Sequence, residues 1–576
     1  MMSRCSFDKK SLERTLRKRG LREDLIHSIL MEYPDDYRCA REAYKDGMCA
    51  FHSEEKPENF EELFWDELEK GVRSEEVEEI DFTGAIFPSM VFRRAGGSPL
   101  KVNKPILFTG AKFEKADFSY AKFFEAVFFG ARFEDGVFAG TEFTFAYFMG
   151  AKFRRGNFGG ANFHEEANFE EADFREAVFS NARFEAESMG ARFIKAKFRK
   201  ADFMFSEFRT WTFFEGAEFE EANFSRAKFY KAYFRDAKFK KVSFSGAEFE
   251  EADFSKAKLE EASFSWTRFH GNANLGFNLT GLADFSGAVF DGYVLLIPEQ
   301  KQEGILTFFM TVFKDPKKVF ITGFPLSSIS FLYTDISYVT LAPAGSSGGI
   351  LDEKLWRYKE EERKERRGKE RSINIDRNTS KKPPWRKPLT PLTEWERKVY
   401  ERLEPHLNRE LIVAEYKAIR KCLESNRMFT EASDLFIREM RISRERLGIK
   451  QLPEKIAHYL YDWIAGYGES VGRPVLWAFL TVLLSALYFE AMQGSLFTTL
   501  SALLTALMQG NLLKFLNTLG KPLLMSISVF LQMKSLRDFN VGMSSDVLLL
   551  EIVVRILSIL IIGSLFISLR RKLERR

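Results

Sequence analysis

Phenylalanine recurs at every fifth position over about 180 residues. It stands at 108, 113, 118, 123, 128, 133, 138, 143, 148, 153, 158 and 163 without a slip. One inserted residue later the series resumes at Phe169, Phe174, Phe179 and Phe184. Met189 takes one position, and Phe193, Phe198, Phe203, Phe208 and Phe213 follow. A further insertion leads to Phe219, then Phe224 to Phe254 at the same spacing, and Leu259, Phe264, Phe269, Leu275, Phe285 and Phe290 close the run. A period of five suits neither a helix, whose faces recur at 3.6, nor a strand, whose faces alternate. It requires a chain that turns a corner every five residues and sends one large side chain inward each time. Ala stands two residues before most of these positions, as at Ala111, Ala116, Ala121, Ala222 and Ala252. A small inward residue beside a large one fills a narrow coil without overpacking it. Successive coils then pair backbone to backbone at about 4.8 Å. The inward ladder therefore includes Phe113, Phe118, Phe123, Phe224, Phe229, Phe234, Phe249 and Phe254.

The triplets ADF at 116–118, 172–174, 201–203 and 252–254, and ANF at 161–163 and 222–224, carry a family resemblance. The pattern resembles the pentapeptide repeats, A(D/N)(L/F)xx. The resemblance implies a right-handed quadrilateral β-helix with four pentapeptides per coil. Phe82, Phe87 and Phe92 read as a first partial coil, and residues 81–295 as the β-helix. About nine coils make a rod near 45 Å long at about 4.8 Å each. Residues 296–345 read as an irregular insert followed by one more coil, in which Ile321, Leu326, Phe331, Ile336 and Leu341 keep the period.

Some members of that family resemble B-DNA through an acidic face. Residues 111–290 here carry 25 basic and 28 acidic side chains, well mixed. That is a solvated, charge-balanced surface, and the whole chain sums to only +4. Nucleic acid is not an expected partner. The sequence contains no HExxH, no Walker-A loop and no Gly-x-Ser-x-Gly elbow, so no enzyme activity is expected.

Residues 1–80 form a separate N-terminal cap containing Cys and His. Cys49 and His52 are spaced as two metal ligands on one turn, and Cys5 and Cys39 would complete a Cys3His zinc set. The competing reading makes Cys39 and Cys49 small buried hydrophobes. The gap from Cys5 to Cys39 is not a standard zinc spacing. The family resemblance favours the metal, because a CxFH element similar to CAFH at 49–52 often precedes such coils. Residues 57–70 read as an amphipathic helix that would cover the open edge of the first coil.

Beyond the coils, residues 346–392 read as a charged linker, and 393–470 as a helical hairpin with an amphipathic helix. Ile412, Tyr416, Ile419 and Leu423 line one hairpin face, and Ala432, Leu435, Phe436 and Met440 the next. Residues 471–576 read as an α-helical transmembrane bundle. Pro474–Tyr488 with its flanks and Val547–Leu569 are long enough to span a bilayer, while Leu496–Met508 and Pro522–Met533 are short and read as interfacial or re-entrant. Basic residues before the first span and after the last place both ends, and the β-helix, on the cytoplasmic side of a multi-pass cell-membrane protein.

Two spans around a short apolar segment resemble the pore module of potassium channels. GYGES at 466–470 and Glu551 with RRKLERR at 570–576 carry that resemblance. The selectivity sequence is missing: after PLLMSISVFLQM comes KSLRDFNVGMSS, where a potassium filter would place a run of carbonyls. The residues such a pore segment would use are Ser526, Ser528, Gln532, Arg537, Asp538, Glu551 and Arg555. The chain thus reads as a membrane-anchored scaffold whose rod binds a protein partner or senses a signal, with membrane lipid as a partner. The alternative is a homo-oligomeric ion channel with a non-standard filter, gated by the rod.

Overall fold

The structure is a computed structural model describing all residues except 1–3, 47, 94–96, 186–188, 301, 346–348, 374–390, 493–519, 534–544 and 575–576. It divides into two compact units, Met1–Arg427 and Met428–Arg576.

The first unit is built on a parallel β-solenoid of about 11 turns. Strands pair with strands one coil away, in register: Lys112 with Arg132 and Arg132 with Lys152, Phe113 with Phe133 and Phe133 with Phe153. Register follows from the inward Phe, since a one-residue slip would turn every ring outward. All eight ladder positions named above are buried. Rings stack from coil to coil, as in Phe133–Phe153 at 4.5 Å and Phe203–Phe224 at 4.6 Å. Within a coil they meet edge to face, as in Phe148–Phe158 at 89°. Both arrangements suit the ring quadrupole.

The second letter of the repeat works at the corner. Asp117, Asn157, Asp202, Asn223 and Asp253 each accept a hydrogen bond from the backbone N–H two residues on. Such Asx turns bend the chain locally. Every ten residues one corner residue takes a left-handed backbone: Gly110, Tyr120, Gly130, Gly140 and Gly150 form one such run. Gly110, Gly130 and Gly150 share a corner, and a Cβ at Gly130 would lie 2.8 Å from Leu16. Helices α1 (Lys9–Lys18) and α2 (Glu23–Met31) lie along that glycine stripe. Arg19 fixes them there by donating to the carbonyls of Ala111 and Gly130 at 2.8 and 3.1 Å. Helix α3 (Phe60–Arg73) covers the first coil, with Phe64 packed on Phe82, Phe87 and Phe92.

Four local expectations change. Met189 is 60% exposed and not part of the ladder; Phe193 takes the next inward place after Phe184. Phe213 faces outward against Tyr233, and Phe214 is the buried ring. The extra residue lies in the bulge between Phe208 and Trp211, one corner earlier than the spacing suggests. The stretch before the last coil is no irregular insert, while Ile321, Leu326, Phe331, Ile336 and Leu341 of that coil are buried as expected. Ile305–Thr307, Val312–Phe313 and Val319–Thr322 extend the same ladders, which accounts for the additional turns.

The segment expected to be a charged linker contains a helix. Helix α4 (Leu351–Ile373) buries Leu351, Asp352, Leu355 and Trp356 in its first turns. Together with α5 (Glu394–Leu403) and α6 (Arg409–Ser425) it closes the far end of the solenoid. Tyr416 of α6 donates to Glu353 of α4, and Asn426 donates to the Val339 carbonyl of the last coil at 2.9 Å. The expected hairpin is divided between the units: α6 belongs to the solenoid, and α7 (Phe429–Arg444) to the second unit.

The second unit continues with α8 (Leu452–Ala465), α9 (Gly472–Met492), α10 (Gly520–Phe530) and α11 (Ser545–Glu574). Ile464, Phe489, Met525, Val529, Val554 and Ile561 form its core. Two helices, over Gly472–Phe489 and Val547–Glu574, are long and apolar enough to cross a membrane.

Candidate functional site

Cys5, Cys39, Cys49 and His52 converge. Cys5 precedes α1, Cys39 follows α2, and Cys49 and His52 share a single turn closed by His52 N–H to the Cys49 carbonyl at 3.1 Å. All four are buried, and their donor atoms lie within 4.8 Å of one another. His52 Nδ1 is 3.3 Å from Cys5 Sγ and 3.2 Å from Cys49 Sγ, and Cys39 Sγ is 3.9 Å from Cys49 Sγ. Metal–ligand lengths of a tetrahedral zinc imply S···S near about 3.8 Å and S···N near about 3.6 Å. The donor set fits such an ion.

The surroundings suit the same chemistry. His52 Nε2 lies 2.7 Å from the Thr83 carbonyl of the first coil. That contact keeps the proton on Nε2 and leaves the Nδ1 lone pair facing the three sulfurs. The Cys49 N–H donates to Cys5 Sγ at 3.3 Å. Arg41 approaches Cys39 Sγ at 3.9 Å, pairs with Glu67 at 3.2 Å and stacks on Phe51 and Phe82. Three thiolates around a dication sum to −1, which this guanidinium offsets. With no ion the protons are divided unevenly. The contact with Cys49 holds Cys39 down at about 3 against the effect of burial, and the same contact pushes Cys49 up. Burial opposes charging of His52, but Cys39 and Cys5 outweigh it and raise the imidazole to about 9. A bound metal would displace these protons. Four buried protein donors would leave a bound ion no open coordination position, the arrangement of a structural site.

Among the pore-segment residues, Arg537 and Asp538 lie outside the described residues, as does Leu496–Met508. Glu551 and Arg555 pair at 2.9 Å one turn apart on α11. Arg555 also donates to Gln532 Oε1 at 3.0 Å, and Gln532 donates to Ser558 Oγ at 2.7 Å. This small network joins the end of α10 to α11. Ser526 is buried on α10, its hydroxyl without a partner among the described residues. Ser528 is half-buried on the same helix.

One polar pair escaped the sequence reading. Asp352 of α4 and Glu415 of α6 are both buried at the closed end of the solenoid. Glu415 Oε1 accepts from Phe331 N–H at 3.0 Å. Glu415 Oε2 and both Asp352 oxygens have no donor among the described residues. Burial lifts Asp352 to about 6, and burial and then Asp352 lift Glu415 well above its usual range. Nothing in the sequence marked either Asp352 or Glu415.

Comparison with known proteins bears on the solenoid. Pentapeptide-repeat models match residues 126–164, 210–240 and 232–271, and a second such model matches 148–188. An uncharacterised protein of Methanocaldococcus jannaschii is 28% identical over 286 residues, covering 49% of this chain and 52% of that protein. The chain thus spans about half the length of that curated relative. Among solved structures, HetL, a pentapeptide-repeat protein involved in heterocyst differentiation regulation in Nostoc, is 18% identical. The match covers 41% of this chain and 96% of HetL, with a TM-score of 0.22. QnrB1, a plasmid-mediated fluoroquinolone resistance protein, is 16% identical over 38% of this chain and 92% of its own, with a TM-score of 0.17. The family-model matches fall within the solenoid, and they support the pentapeptide repeats as the family of that part of the chain.

Proposed function

We propose that the chain is a membrane-anchored scaffold: α9 and α11 cross the bilayer, and the solenoid serves on the cytoplasmic side as an interaction or sensing module for a protein partner, without catalysis. One observation carries the reading. The apolar windows of α9 and α11 are only 22% buried, whereas the core helix of a soluble protein would hide most of such a surface. Arg441, Arg444 and Arg446 before α9, and Arg570, Arg571 and Lys572 at the end of α11, favour cytoplasmic placement of both ends. The test is alkaline extraction of membranes from expressing cells, followed by protease treatment of right-side-out vesicles. Retention in the extracted membrane with a protected solenoid is expected. Release into the supernatant overturns the anchor.

Within this reading Cys5, Cys39, Cys49 and His52 hold a structural zinc that fastens the N-terminal helices to the first coil. A second reading is favoured by the Gln532–Arg555–Glu551 network, which puts charge between apolar helices where it is costly. In it, copies of the chain assemble into an ion channel with a non-standard filter. Unitary currents from purified protein in a planar bilayer support the channel, and a strict monomer by native mass spectrometry removes it.

A further inference from the structure

Helix α8 carries an apolar stripe that its neighbours leave half-exposed, with Arg444 stacked on Tyr459 and Trp477 against Trp463. Leu452, Ile456, Tyr459, Leu460 and Trp463 are each between 41% and 60% exposed. At 3.6 residues per turn these five fall within about 100° of the helix circumference. A second face, with Tyr461, Ile464 and Ala465, packs into the core shared with α9 and α11. The third face is polar. There Asp462 accepts from Arg441 at 2.9 Å and from Arg444 at 3.2 Å. The packed and the polar faces are accounted for, and the half-exposed one is the most apolar.

The stripe is continuous with the first span. Trp463 and Trp477 meet at 4.0 Å between ring centroids, and Trp477 Nε1 donates to the Trp463 carbonyl at 3.2 Å. Val475, Leu476 and Phe479, exposed on α9, carry the apolar surface onward. The turn between the helices is fixed by three successive left-handed residues, Gly466, Tyr467 and Gly468. Arg571, at the cationic end of α11, donates to the Tyr467 carbonyl at 2.9 Å and pairs with Glu469 at 3.0 Å. The half-exposed stripe, the aromatic pair and the cationic helix ends therefore share one end of the helical unit. Trp and Tyr favour the headgroup level of a bilayer, and helices with an apolar stripe and a basic flank lie along its surface.

We propose that α8 is an interfacial helix whose Leu452–Ile456–Tyr459–Leu460–Trp463 stripe lies in the lipid headgroup and upper acyl region, at the level where α9 enters the bilayer. The occupant of the stripe is lipid. The assignment rests on α9 and α11 spanning a membrane, so the test reads that premise separately.

Single-cysteine variants Trp463→Cys, Lys455→Cys and Ile559→Cys of the full chain are labelled with an environment-sensitive fluorophore and reconstituted into phosphatidylcholine–phosphatidylglycerol nanodiscs. The unsubstituted protein serves as the blank, since Cys5, Cys39, Cys49 and Cys422 are buried. Lipids carrying a doxyl quencher high on the acyl chain should remove most of the emission from position 463 and little from 455. A quencher near the chain end should act on position 559. Quenching at 559 with none at 463 overturns the interfacial helix and leaves the spans standing. Quenching at 463 equal to that at 455 also overturns it, because the stripe would then be no deeper than the polar face. No quenching at any position overturns both the interfacial helix and the anchor.

Discussion

Single residues decide how the ends of the solenoid hold. The cluster of Cys5, Cys39, Cys49 and His52 joins three segments of the N-terminal cap and, through Thr83, the first coil. A small unit that gains its cross-link from a metal loses order when the metal is removed. Purified protein is expected to carry one zinc per chain, and Cys49→Ser to lose it and expose α1–α3 to protease, with elemental analysis and limited proteolysis as the readouts. Loss of zinc with no change in proteolysis would deny the site its clamping role. The acid pair at the other end works with the opposite sign. Because burial raises the Asp352 carboxyl from 3.8 to about 6, the unfolded chain gives up this proton first. Stability is therefore lost as pH climbs from the unfolded value through the folded one. Asp352→Asn gives Glu415 a donor in place of a second acid. Amides of α6 should then exchange more slowly than in the parent at about pH 8, with the difference shrinking towards about pH 4. Equal exchange at both pH values would mean that the pair does not titrate with the cap.

At the scale of the element, the five-residue period was readable because every repeat sends the same two positions inward, and the eight ladder Phe are all buried. What the period could not locate was its own interruptions. A six-residue coil side reads alike whether its bulge precedes or follows the corner, so the spacing points to Phe213 where the inward ring is Phe214. Met189 stands in phase five residues after Phe184 in the sequence, though it is exposed. The metal donors were nameable from Cys49-x-x-His52, but their convergence depends on how α1 and α2 fold back, which no spacing records. The Asp352–Glu415 pair was illegible for the same reason. The ladder also sets the expected result of two substitutions. Phe224 stacks between Phe203 and Phe244, so Phe224→Ala should cost about 3–5 kcal/mol. Lys228 is exposed but lies in register between Glu207 and Glu248. Lys228→Glu sets three acids in one column and should cost no more than about 1 kcal/mol. Denaturant unfolding of the two variants measures both, and equal losses would refute the inward assignment.

Across the whole molecule, a stack of coils gains stability from neighbours and has two ends with none. In this chain both ends of the stack are covered by helices from within Met1–Arg427: α3 on Phe82, Phe87 and Phe92, and α4 and α6 on the last coil. The far cover is held by specific polar contacts, Glu415 to Phe331 N–H and Cys422 and Asn426 to the Val339 carbonyl. Charge ladders along the sides, such as Glu218–Lys238 at 2.7 Å, mix both signs on the surface. A stack covered at both ends needs no partner to close its edges, so the solenoid should be soluble once cut from the apolar helices. A chain ending at Arg427 is expected to be a folded monomer without detergent. One ending at Ala342 would expose the last strand, Thr340–Ala342, and the apolar side chains beneath α6, and a bare edge of that kind recruits other edges. Light scattering after size exclusion separates the outcomes. Association of the shorter chain alone supports capping by α4–α6, whereas two monomers would mean that the solenoid edge protects itself.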